Sequence, residues 1–102
     1  MIIAVVGSGG KTTLIKKLAE KYRDEGKSVL VTTTTHMFIE EDTLLTDDAD
    51  TIIQALKENG YVMAGLPDGI KFKALPEETY AAVCAYADVV LVEAEELVVV
   101  EA

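Results

Sequence analysis

The sequence predicts a single α/β domain over residues 1–102, with helices on both sides of a mostly parallel sheet. Three observations predict it. Short, unalternating runs of aliphatic and β-branched residues occur at 2–6, 29–31 and 89–92, as expected of strands covered on both faces. Stretches with apolar residues at helical spacing lie between them. The chain has 102 residues, enough for one core and no more.

The elements follow in order. Ile2-Ile3-Ala4-Val5-Val6 reads as a buried strand, broken by Gly7-Ser8-Gly9-Gly10. Leu14, Ile15, Leu18, Ala19 and Tyr22 then mark one face of a helix over about 12–25, and Gly26 stands where its C-terminal cap belongs. Val29-Leu30-Val31 is a second strand, running into Thr32-Thr33-Thr34-Thr35. Strand, loop, helix and strand in about 30 residues make a βαβ unit, whose crossover is right-handed and whose strands are parallel. The stretch 36–50 is polar and acidic and reads as an irregular connection with one short helical turn.

Asp48 or Asp50 caps a second helix, over 50–59, carrying Ile52, Ile53 and Leu56 inward and ending at Asn59-Gly60. Tyr61-Val62-Met63-Ala64 is a third strand, Leu66-Pro67-Asp68-Gly69 a turn, and residues 70–73 an alternating edge strand. Pro76 opens a third helix with Tyr80, Val83, Cys84 and Ala87 inside. Val89-Val90-Leu91-Val92-Glu93 is another buried strand, and Leu97-Val98-Val99-Val100 is strand-like. Three helices are few for so many doubly buried strands. The expectation is an incompletely covered sheet and self-association, most simply as a two-fold homodimer.

Composition narrows the function. Half the residues are hydrophobic, 26% are charged, and the net charge is −9. Such acidity argues against nucleic-acid or membrane-surface partners, whose phosphates it repels. No apolar run has transmembrane length, and residues 1–6 lack the basic start of a signal peptide, so a cytoplasmic protein is expected. The lone Cys84 excludes an internal disulfide or a multi-cysteine zinc site and reads as an apolar filler. Charge is unevenly placed: residues 1–39 carry a net +3 and residues 40–102 a net −12. The positive part coincides with the glycine loop.

That loop carries the chemistry. Gly7, Ser8, Gly9 and Gly10 stand between a buried strand and an amphipathic helix, followed by Lys11, Thr12 and Thr13. Glycines let the backbone turn tightly and bring N–H groups to phosphate oxygens, and the helix adds its positive end. Lys11 supplies an ammonium for β- and γ-phosphates, Thr12 a hydroxyl for Mg²⁺ and Thr13 one for the α- or β-phosphate. The pattern is that of a Walker A P-loop, except that its first glycine position holds Val5. The plainer reading, a glycine turn with a surface lysine, explains neither the strand before it nor the Lys-Thr-Thr after it.

The compact Gly-x-x-Gly-Lys-Thr-Thr spacing resembles the loop of Mur-type amide ligases. It differs from the MinD and ArsA type, whose signature lysine position holds Val6 here. Glu93, ending a four-residue apolar run, is the candidate second magnesium ligand, directly or through water. The threonine run, Thr34 included, lies on the rim where open α/β sheets bind ligands and offers hydroxyls to a γ-phosphate or a substrate. His36, the sole histidine, has no companion ligands and reads as a loop residue.

The chain as a whole resembles the YqeC family. Three segments carry the resemblance: residues 3–13 with the glycine loop, the stretch Val29-Leu30-Val31-Thr32-Thr33-Thr34-Thr35-His36-Met37, and Ala87-Asp88-Val89-Val90-Leu91-Val92-Glu93-Ala94. The resemblance implies a P-loop NTPase-like protein that binds ATP or GTP with Mg²⁺. It further implies an accessory role in maturing a selenium-dependent molybdenum hydroxylase, with that enzyme or its cofactor-maturation proteins as partners. The family continues Val-Glu-Ala with Asp-Gly-Ser, whereas Ala94 here runs into Glu95-Glu96-Leu97, so the expectation is either a form shortened at the C-terminus or a sequence that omits residues after Ala94. Hydrolysis of the nucleotide, a ligase or kinase reaction, and nucleotide binding without turnover all stay open.

Overall fold

The computed structural model describes residues 1–7 and 9–95. Ser8 and the strand predicted at 97–100 lie outside the described residues. Seven strands and three helices follow one another as β1 (Ile2–Val5), α1 (Lys11–Asp24), β2 (Val29–Thr33), β3 (His36–Phe38), β4 (Leu44–Leu45), α2 (Ala49–Asn59), β5 (Tyr61–Asp68), β6 (Lys71–Lys73), α3 (Glu77–Tyr86) and β7 (Val89–Glu93). The sheet order is β1-β7-β2-β5-β6-β3, with β4 also pairing β5.

The sheet is mixed. β1, β7, β2 and β5 run parallel in neighbouring pairs, and β4 joins β5 in parallel. β6 then turns back antiparallel to β5, and β3 pairs antiparallel to β6. The apolar runs behave as doubly buried strands should. Residues Val29, Val31, Val89 and Leu91 pack with Ile15 and Ala19 of α1. Their alternates Leu30, Val90 and Val92 pack with Ile52 and Leu56 of α2 and Val83 of α3. Side-chain alternation along a strand thus divides one sheet between two cores, giving three layers.

Cover is unequal at the β1 edge. Val5 is buried beneath α1, while Ile2 is 50% exposed and Ala4 is exposed. Beside them an apolar groove of about 270 Å³ runs between β1 and the start of α3, lined by Ile2, Ala4, Leu75, Tyr80 and Val92 among others. Of the α3 residues expected inside, Val83 is fully buried, and Tyr80 and Cys84 are half-buried against the same core. Burial pushes the Cys84 thiol above its ordinary value, so it is a poor nucleophile.

Three expectations need correction. The connection at 36–50 contains strands β3 and β4, a hydrogen-bonded turn at 40–43 and the start of α2 at Ala49, with no separate helical turn between them. Met37 is buried while His36 and Phe38 are exposed, and this single apolar position was too short a pattern to read. Strand β5 continues through Pro67 to Asp68, and the reversal falls on Gly69 and Ile70 instead, with Gly69 at φ +65°. Strand β6 is not an edge, because β3 lies outside it.

Gly65 marks the point where β5 passes from β4 to β6. A Cβ there would overlap the ring of the fully buried Phe72 and come within 2.5 Å of the Lys73 carbonyl oxygen. Backbone cannot yield as a side chain does. Gly65→Ala is therefore expected to destabilise the fold by about 1–3 kcal/mol. Denaturant unfolding with an unchanged midpoint would contradict this.

Candidate functional site

The first strand delivers the chain to the rim at Val5, and the loop turns it into α1. Gly7, Gly9 and Gly10 all take positive φ, at 118°, 76° and 73°. A side chain would be strained in each conformation. Around all three the space beyond Cα is open, with nothing within 4 Å of an added Cβ. α1 starts at Lys11 with no side-chain cap and no acidic residue in its first turn. Its first N–H groups and its positive end therefore face the groove uncompensated by the helix itself.

β7 lies next to β1, in a register that sets Glu93 beside Val5 on one side and Thr33 on the other. Glu93 follows Val89 and Leu91 by alternation, so its side chain projects on the α1 face, over the start of that helix. There its Oε1 forms an ion pair with Lys11 Nζ, which also donates to the Ala94 carbonyl at 3.2 Å. Its Oε2 accepts from Thr33 Oγ1 at 2.7 Å and Thr35 Oγ1 at 2.8 Å. The residue is only 6% exposed. Burial by itself would raise the Glu93 carboxyl pKa. Hydrogen bonds from Lys11, Thr33 and Thr35, with the Lys11 charge, outweigh it and hold the group below its ordinary value.

A groove of about 270 Å³ opens at this point. Gly9, Gly10, Lys11, Thr12 and Thr13 form one wall, with Glu93 beside them. His36, Met37, Phe38 and Lys71 form the other. Gly9, Gly10, Lys11, Thr12, Thr13 and Glu93 are thus brought together, while Gly7 is not among the lining residues and Ser8 lies outside the described residues. Thr34 is not: it lines the apolar groove beside Ile2 and Ala4, with its amide on the Glu93 carbonyl at 3.0 Å.

Sequence reasoning passed over the far wall. His36 belongs to β3, and its Nε2 is 2.7 Å from Asp68 Oδ2. Lys71 of β6 places its ammonium 4.8 Å from the centre of the exposed Phe38 ring. Buried Met37 and Phe72, flanked by exposed or half-exposed neighbours, are the only signal that these two short segments form a ribbon. Among the described residues no cluster of three or more histidine, cysteine or carboxylate side chains could hold a metal, and no helix is long and apolar enough to cross a membrane.

Fold and site together define a three-layer α/β protein with a glycine loop, a helix N-terminus and a strand-end carboxylate on one rim of its sheet. The YqeC protein family matches residues 3–96, and the chain belongs to that family. It is also similar to the Uncharacterized protein YqeC of Escherichia coli (strain K12), 58% identical over 38 residues. Those residues are 37% of this chain and 15% of the relative, so the match spans a small part of that protein's length. No solved structure matches the chain.

Proposed function

We propose that the protein is a P-loop NTPase-like nucleotide-binding domain, taking the phosphates of ATP or GTP together with Mg²⁺. The observation that carries the reading is the meeting of Lys11 with Glu93 beneath an open glycine loop. Gly9 and Gly10 line the groove with backbone able to offer N–H groups, and Lys11 brings its cation, held by Glu93, to the same groove. Thr12 and Glu93 offer a hydroxyl and a carboxylate, hard oxygen donors of the kind Mg²⁺ takes. One carboxylate fits that ion, which is normally held by one or two carboxylates with the substrate's own phosphates. Held by Thr12 and Glu93, Mg²⁺ would neutralise negative charge on the phosphates. Thr13 stands one position further into α1, within the same wall, for the α- or β-phosphate.

Family membership supports extending the proposal to a role beside a selenium-dependent molybdenum hydroxylase, as an accessory protein in its maturation. Its partners would then be that enzyme or its cofactor-maturation proteins, in the cytoplasm. Calorimetric titration with ATP and GTP, with and without Mg²⁺, tests the nucleotide reading. Saturable binding of either at micromolar concentration is expected. Absence of heat from both, with Mg²⁺ present, overturns it.

A further inference from the structure

Glu93 has more partners than a cation ligand needs. Its Oε2 receives two hydroxyls, and the donor of one is itself fixed, because the Thr35 amide donates to Thr33 Oγ1 at 3.0 Å. Each threonine hydroxyl has a single hydrogen, and both hydroxyls lie within hydrogen-bond reach of Oε2, with Thr33 Oγ1 also 3.1 Å from the Glu93 carbonyl oxygen and 3.3 Å from Thr35 Oγ1. A hydrogen donated to Glu93 is not available to a phosphate. The same two bonds turn Oε1 toward Lys11 and the groove.

The arrangement constrains Lys11. Its ammonium is held by a buried carboxylate and by the Ala94 carbonyl, so it must leave both to reach a phosphate. A triphosphate arriving alone would strip the cation from Glu93 and set its own negative charge beside a buried carboxylate. Both effects oppose binding. A divalent cation arriving with the triphosphate gives Glu93 a new positive partner and releases Lys11.

We propose that Thr33 and Thr35 are positioning residues that aim Glu93, and that the Lys11–Glu93 pair thereby makes triphosphate binding conditional on a divalent cation. The inference rests on the nucleotide reading above. It assigns the threonine run to the carboxylate, not to the substrate.

The test is titration of ATP, with and without Mg²⁺, into the whole chain and its variants. In the unmodified protein Mg²⁺ is expected to raise affinity by about tenfold or more. Glu93→Gln keeps the shape but removes the charge that holds Lys11. Its Mg²⁺-free affinity should rise about tenfold, and the gain from Mg²⁺ should disappear. Thr33 is fully buried, so the cleaner variant is Thr35→Val, at a half-buried position. It should reduce the Mg²⁺ gain about two- to tenfold, and Thr35→Ser should restore it.

A Mg²⁺-free affinity in Glu93→Gln equal to or below that of the unmodified protein overturns the inference. So does a Thr35→Val variant that keeps the whole Mg²⁺ gain. If the unmodified protein binds no ATP under either condition, the nucleotide reading itself has failed, and that arm tells the two failures apart.

Discussion

Lys11→Ala is expected to weaken triphosphate binding about ten- to a hundredfold and diphosphate binding by less. The magnitude is that of one charge-assisted hydrogen bond to a phosphate, about 1.5–3 kcal/mol. The selectivity follows from charge placement. An ammonium directed to the β- and γ-phosphates would gain most from the extra negative charge of the triphosphate, while on the same proposal the amides of Gly9 and Gly10 would serve both nucleotides. In the structure Lys11 is half-buried against Glu93 and lines the groove, so on moving to a phosphate it would exchange one anionic partner for another. The variant leaves Glu93 with its two threonine donors but without a cation. A thermal melt must therefore accompany the titration to separate weakened binding from a weakened fold. Dissociation constants for ATP and ADP in saturating Mg²⁺ are the readout. An unchanged ATP constant in a folded variant removes Lys11 from the phosphates.

The parallel part of the fold is legible in the sequence for a physical reason. Strands covered on both faces need continuous apolar runs, and Val29 to Val31 and Val89 to Val92 supply them in a mostly polar neighbourhood. The position of the loop is legible as well, since four adjacent residues with three glycines break the apolar run of β1 before the helical pattern of α1 begins. The antiparallel ribbon is not. β3 and β6 are three residues each, too short for a period, and each has one buried side chain, Met37 or Phe72. Pro67 misled because proline suits turns, yet here it sits within the pairing of β5 with β6, opposite Phe72 and between the Leu66–Lys73 and Asp68–Lys71 pairs.

The site divides in the same way. A carboxylate ending the last strand can be read from the chain, but its partners depend on register between strands distant in sequence. The pairing Thr33–Glu93 decides which threonines meet it. Parity then sorts the run: Thr33 and Thr35 reach the carboxylate, while Thr32 donates to the Ala64 carbonyl at 2.9 Å and Thr34 lines the other groove. Four identical residues carry no signal that separates these roles.

Thr12→Ala and Glu93→Gln are each expected to reduce the Mg²⁺ dependence of nucleotide binding, and the two losses are expected not to add. The expectation follows from the proposed shared use of one ion. Thr12 stands in the first turn of α1, Glu93 ends β7, and both line the same groove of about 270 Å³. If both contact one ion, directly or through a water, losing either ligand lowers its occupancy and makes the other worth less. Pairs acting through a shared partner typically couple by about 0.5–3 kcal/mol, whereas independent sites add within about 0.5 kcal/mol. Each single variant should lower the Mg²⁺ enhancement about tenfold, with the double variant close to the worse single. Mg²⁺ titrations at fixed ATP, run on all four proteins of the cycle, give the coupling directly. Strictly additive losses would place Glu93 on Lys11 alone and leave Thr12 without a carboxylate to share its ion.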